Sequence, residues 1–242
     1  MAAILTSEIG NTDKIVLLIN DCRKNGIHVL PPDVNEGAST FVVSRDGIRF
    51  GLSAVKNVGG NAVESIVRER ERGGPFETLF DFCRRVDLRV VNRKTIESLI
   101  QAGAFDTLDR NRARLFEGLD KALSYAQNYQ AHAIRGQSSL FDYSPIQRTS
   151  PMTPTFPEVA EWPEAEKLDR EKAVLGFYVS GHPLLKFEEE VNVFSTVRFG
   201  QPEVVMPGAV VRACGIVTGV KKKIDKKGNM MAFVTIEDFT GR

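Results

Sequence analysis

Apolar residues recur in this chain with two different periods, and the change from one to the other divides it. Ile15, Leu18, Ile19 and Cys22 fall on one helical face behind the start signal Asn11-Thr12-Asp13, with Gly26 as the stop. Val29-Leu30 runs into Pro31-Pro32, which ends any regular element there. Phe41-Val42-Val43 and Ile48-Arg49-Phe50 flank Asp46-Gly47, the signal of a β-hairpin. From Gly51 the period becomes helical. Leu52 and Val55 precede a turn, and Val63, Ile66 and Val67 follow it. Ile96, Leu99 and Ile100 precede a second turn, and Leu115, Leu119, Ala122 and Leu123 follow that one. Phe76, Leu79, Phe80 and Phe82 lie between the two pairs and are expected to form the core that joins them. Gly73-Gly74-Pro75 breaks the helix that carries the charged run Glu64 to Arg72, where Glu64 and Arg68 sit four apart on a solvated face. A further helical pattern (Leu168, Ala173, Val174) gives way to two expected strands, Val211–Val217 and Met231–Ile236.

The two turns carry the candidate chemistry. The first holds Lys56, Asn57, Val58, Gly59, Gly60 and Asn61, and the second holds Ala102, Gly103 and Ala104. A helix, a tight glycine turn and a second helix make a helix–hairpin–helix. At Gly59 and Gly60 the missing Cβ is expected to permit φ > 0 and a close approach by another backbone. The unpaired N–H groups and the positive end of the helix that follows favour a phosphate. Such a unit grips nucleic-acid backbone and reads little base sequence. Arg110, Arg112 and Arg114 surround the helix start after the second turn and are candidate phosphate contacts. The alternative is a pair of ordinary αα-hairpins with glycine at a helix end.

Composition mainly excludes. Among 242 residues, 32 Lys and Arg against 31 Asp and Glu leave a net charge of +1, so nucleic-acid binding has to come from local patches. Cys22, Cys83 and Cys214 are odd in number and far apart, which argues for free thiols in a reducing compartment and against a disulfide framework or zinc site. No apolar run approaches a membrane span and no signal peptide is present, so a soluble, cytoplasmic protein without a membrane partner is expected. No catalytic residue, metal ligand or cofactor site is read in this chain.

Two further segments invite a partner. Residues 131–163 have linker composition, with five prolines (Pro145, Pro151, Pro154, Pro157, Pro163), and include Gln137-Ser138-Ser139-Leu140-Phe141. An exposed Leu-Phe pair in such a segment can place two apolar anchors in a partner's pocket, with the Gln amide bonding at the rim. Chance occurrence, or docking on the chain's own core, is the competing reading. Lys221, Lys222, Lys223, Lys226 and Lys227 sit in an expected hairpin turn with one Asp, a candidate contact for single-stranded nucleic acid or a solubilising loop tip. The chain stops at Thr240-Gly241-Arg242, where a third strand is expected. Two strands do not close a barrel, so the last domain is expected to be cut.

Taken together, Asp21–Ile27, Leu30–Asn35, Ile48–Leu52, Phe80–Cys83, Ile100–Asp106, Gln137–Phe141 and Leu175–Leu184 resemble, in that order, the alpha subunits of bacterial DNA polymerase III, the C-family replicative polymerases. The resemblance implies an α+β chain of four parts: the tail of a fingers domain (1–50), a tandem helix–hairpin–helix DNA-binding region (51–130), a linker with a clamp-binding peptide (131–163), and a connecting helix with the start of a truncated OB-fold (164–242). It implies duplex backbone, the sliding clamp and other polymerase holoenzyme subunits as partners. The family's metal-binding carboxylates lie upstream of Met1, so magnesium belongs to the parent polymerase, Met1 is read as internal, and the chain alone is expected to be inactive. Asn57 stands where the family usually has glycine; Asn is the next-best residue for a left-handed position. The intact Gln137–Phe141 peptide favours the replicative enzyme over its error-prone paralogues. The alternative is a free-standing helix–hairpin–helix repair or recombination accessory protein.

Overall fold

A computed structural model describes residues 1–134, 155–199, 206, 208–226 and 228–239. The peptide Gln137–Phe141 and Lys227 lie outside the described residues. The chain divides into two units, Met1–Val179 and Ser180–Arg242.

The first unit opens with helices α1 (Ala2–Ser7) and α2 (Thr12–Lys24). Asn11 caps α2 by accepting from the Lys14 N–H, and Ile15, Ile19 and Cys22 are buried along one face, as the spacing predicts. A three-stranded sheet follows in the order β1 (Val29–Leu30), β3 (Gly47–Arg49), β2 (Val42–Ser44). The β2–β3 pair is the expected hairpin, with Val43 opposite Ile48. Five helices complete the unit: α3 (Gly60–Gly73), α4 (Leu79–Arg85), α5 (Arg93–Gln101), α6 (Arg112–Ile134) and α7 (Glu164–Leu175). Phe76, Leu79, Phe80 and Phe82 are buried between the hairpin helices. Phe82 touches Phe76 and Phe105 edge-on, with ring centroids 4.9 Å away in each case.

Part of the expected linker belongs to this core. The segment at 155–163 runs across α4 and α6 as a strap. Phe156 lies 4.5 Å from Phe80 and Trp162 lies 5.6 Å from Phe116, centroid to centroid. Glu161 accepts from the Arg112 and Ala113 N–H groups, each at 3.0 Å, and so caps α6 from a distant point in the chain. Two aromatic rings and a capping carboxylate outweigh the prolines of this stretch, so the division of the chain falls at 179/180 rather than at 163/164.

The second unit holds a short helix α8 (Glu188–Phe194) and an antiparallel ribbon of β4 (Ile216–Ile224) and β5 (Met230–Glu237). The first strand was expected at Val211–Val217. It lies further on and contains Lys221, Lys222 and Lys223, which pair with Phe233, Ala232 and Met231. These lysines are strand residues, not turn residues. A register shift between Val217 and Gly219 marks a bulge. Asp225 and Asn229 close the turn, with Lys226 at its tip. The architecture is α+β, with a helical hairpin region and a small sheet that is consistent with part of an OB-fold.

Candidate nucleic-acid interface

The first turn is pinned from behind and open in front. Only a single 3-10 turn, Leu52–Ala54, precedes it, because Gly51 is packed against Thr40 and the chain arrives from the sheet rather than from a long helix. Val55 and Val58 are buried and anchor the turn, and the Val58 N–H closes it on the Val55 carbonyl at 3.1 Å. Asn57, between them, takes the left-handed conformation with φ 65°. Its side-chain amide donates to the Ser98 hydroxyl at 3.0 Å, and its carbonyl accepts from the Thr95 hydroxyl at 3.0 Å. The Lys56 N–H donates to the Val174 carbonyl of α7 at 2.9 Å.

This corrects the role expected for the glycines. Gly59 has φ −81° and ψ 158°, an extended conformation that any residue adopts, and Gly60 already starts α3. Asn57 supplies the left-handed step instead. What Gly59 and Gly60 contribute is space: a β-carbon on either would meet nothing within 4 Å. Lys56, Asn57, Gly59, Gly60 and Asn61 are all exposed. No side chain caps α3 and no acidic residue stands in its first turn. The helix therefore presents N–H groups and its positive end to solvent without compensation, a setting worth about 0.3–1 kcal/mol to an anion at an exposed position.

The second turn is closed. Gly103 has φ +80° and needs glycine, but a β-carbon there would strike the Arg112 guanidinium. Ala102 and Ala104 are fully buried. The N–H groups of Ala102, Gly103 and Ala104 donate to Ser98, Ile100 and Leu99 within the α5 terminus. Arg112, expected on the surface, is 1% exposed. Its Nε and Nη2 fork onto Asp106 at 2.8 and 2.6 Å, and Nη1 reaches the Gln101 carbonyl at 3.1 Å and Glu171 at 3.2 Å. Burial disfavours its charge; Asp106 first, then Glu171, outweigh that and raise its pKa. Arg114 is half-exposed and its Nε bonds Asp109 at 3.0 Å. Arg110 is exposed. Of the two expected cradles, one is open and the other is filled by the protein's own arginine.

The helical pattern at Leu168, Ala173 and Val174 anticipates α7 but not its contact with the first turn, and nothing in the sequence anticipates the strap. Val174 meets the first turn through its backbone carbonyl, which leaves no trace in residue type. Glu171 could have drawn attention only as one more acid on a charged helix. A cleft of about 450 Å³ separates the turn from the end of α7 beside the Lys56–Val174 bond.

Residues 26–115 match the helix-hairpin-helix motif family, a span that takes in both turns. Aligned over its full length, the chain is 40% identical to DNA polymerase III subunit alpha of Neisseria meningitidis serogroup A and 40% identical to that of Borreliella burgdorferi. It is 37% identical to that of Escherichia coli K12. The chain is homologous to a segment of the DNA polymerase III alpha subunit. It spans 20–21% of the length of these relatives.

Proposed function

We propose that this chain is a non-catalytic segment of a DNA-directed DNA polymerase of the DNA polymerase III alpha type. Its work in replication is to hold the DNA backbone and to tether the enzyme to the sliding clamp. The observation that carries the DNA part is the open, uncapped start of α3 beside exposed Lys56, within a span that matches the helix-hairpin-helix family. A phosphate set against Gly59, Gly60 and Asn61 meets free N–H donors, the positive helix end and no acidic side chain. These groups take a phosphate of any sequence, so the grip follows the backbone and leaves base selection to the rest of the polymerase.

The clamp tether rests on Gln137, Ser138, Ser139, Leu140 and Phe141, supported by their apolar pair and by the full-length likeness to the polymerase subunit. Contact of the β4–β5 lysines with single-stranded DNA, completion of the ribbon into an OB-fold, association with other holoenzyme subunits and a cytoplasmic location belong to the same reading. No helix among the described residues is long and apolar enough to cross a membrane. Magnesium chemistry belongs to the parent polymerase. Among the described residues no group of three His, Cys, Asp or Glu stands close enough to hold a metal ion.

The test is binding of the purified chain to a fluorescent duplex over a series of salt concentrations, for the parent chain and for Lys56→Gln. Binding that falls steeply with salt, and less steeply in the variant, supports the reading. No binding at low salt refutes it.

A further inference from the structure

The first turn has no long helix to hold it from its N-terminal side, since only the 3-10 turn Leu52–Ala54 precedes it. The end of α7 supports it instead. A carbonyl in the last turn of a helix has no partner inside that helix. The Val174 carbonyl finds one in the Lys56 N–H at 2.9 Å, and Val174, Leu175 and Gly176 line one cleft with Lys56 and Asn57. Glu171 fixes where that carbonyl stands. It is fully buried, one turn back on α7, and its two oxygens are divided between two donors. Oε2 accepts from Arg112 Nη1 at 3.2 Å and Oε1 accepts from the Val179 N–H. Arg112 is itself forked onto Asp106 beside the second turn. The segment after α7 is held as well: Arg23 of α2 donates to the Tyr178 carbonyl, and the Phe177 ring lies 5.6 Å from that of Phe50. A buried ion pair adds little net stability over an apolar pair of the same volume, and its best-attested use is to fix one arrangement among several. Here the arrangement it fixes ends at the open turn.

We propose that Glu171 is a positioning residue for the DNA-backbone grip at the start of α3. It acts through the Val174 carbonyl, which sets the Lys56 peptide, so that α7 serves the first turn in place of a preceding helix. This rests on the DNA-binding reading above and adds to it a residue that touches no DNA. The second turn then has a part in the grip although it is closed. Asn57 ties the first turn to α5 through Thr95 and Ser98, α5 runs into the second turn, and Arg112 and Glu171 return the connection through α7 to Lys56. The buried arginine contributes by closing this ring rather than by meeting a phosphate.

The test uses the full chain and a fluorescent duplex of arbitrary sequence over a salt series, well below the melting temperature. The parent is compared with Lys56→Gln, Glu171→Gln, Gly176→Ala and, as a core control away from the ring, Phe76→Leu. Glutamine keeps the volume of Glu171 but has one acceptor for two donors, so its amide must set N–H groups against Arg112 or Val179. Gly176 ends α7 with φ 89°, and alanine there strains the helix end while leaving the ion pair intact. Glu171→Gln and Gly176→Ala are expected to bind more weakly and to lower the slope of log K against log salt by about 0.9, the increment of one phosphate contact. Phe76→Leu is expected to melt earlier and keep the parent's slope. A parent-like slope in folded Glu171→Gln and Gly176→Ala, alongside a reduced slope in Lys56→Gln, overturns this inference and leaves the DNA-binding reading standing. An equal loss of slope in Phe76→Leu also overturns it, because any destabilisation would then act alike. Should Glu171→Gln not fold, Gly176→Ala decides. Absence of salt-dependent binding in the parent chain overturns both readings.

Discussion

Arg112 Nη1 lies 3.2 Å from Glu171 Oε2, and both side chains are closed to solvent. The pair joins the second hairpin to α7, and Asp106 and the Gln101 carbonyl accept three further guanidinium hydrogen bonds. Removing one partner of a buried pair leaves a charge without compensation and costs about 3–5 kcal/mol. Arg112→Ala is therefore expected to lower the unfolding free energy by an amount near that range, read by urea denaturation. A surface arginine serving only as a phosphate contact would leave the midpoint almost unchanged.

Gly103 is expected to tolerate no side chain. Its φ of +80° and the guanidinium behind it oppose a methyl group independently. Gly103→Ala should cost about 1–3 kcal/mol from backbone strain alone. Combined with Arg112→Ala, the second substitution should cost less than it does singly, because the two residues share one space. Strict additivity in the double-mutant cycle would contradict that packing.

Acid should release the strap before it unfolds the unit. Burial raises the Glu161 carboxyl, but the N–H groups of Ala113, Arg112 and Trp162 outweigh it and hold the group below the ordinary glutamate value of 4.5. A carboxylate depressed in the folded state contributes stability that is complete above 4.5 and lost as pH falls through the lower, folded value. The chain has one tryptophan, Trp162, and it stands on this strap, so its fluorescence reports the release. Glu161→Gln is expected to abolish the acid transition. The same transition in both proteins would place its cause elsewhere.

The sequence made the hydrophobic framework legible. The faces of α2, α3 and α5, the hairpin at Asp46-Gly47 and the phenylalanine core all follow from spacing and turn chemistry. Residue type alone placed the left-handed step at Gly59 and Gly60, and only the family resemblance drew attention to Asn57, which takes it. The sequence could not show which glycine turn stays open. That depends on Arg112 folding back over Gly103 and on a partner, Glu171, 59 residues away along the chain. Proline content made 155–163 read as linker, because composition is blind to a long-range cap such as Glu161 on α6. The placement of the lysines in β4 was missed for a simpler reason: an exposed ribbon lacks the alternation of buried and exposed residues from which strands are read.

The clamp peptide should act alone. Burial of Leu140 and Phe141 yields roughly 3–6 kcal/mol, the Gln137 amide adds about 1 kcal/mol, and ordering the segment offsets part of it. The expected affinity for a bacterial sliding clamp is of micromolar order, about −8 kcal/mol at most, which suffices for a tether through effective concentration. Leu140→Ala with Phe141→Ala should abolish binding in calorimetry and leave the melting temperature unchanged. Equal heats from both forms would remove this peptide from the account.

The central claim is that the open start of α3 receives DNA backbone. Gly59→Val tests it most directly. The extended backbone at Gly59 accepts valine, and the added β-carbon enters empty space. The fold should survive with a loss of about 1 kcal/mol for the poorer helix N-cap. The parent chain is expected to bind duplex DNA of any sequence with a log K against log salt slope of about −2 to −4, at roughly −0.9 per phosphate contact. Folded Gly59→Val is expected to bind more weakly and with a shallower slope. Parent-like affinity and slope in the folded variant would contradict the claim and reduce the turn to a structural corner.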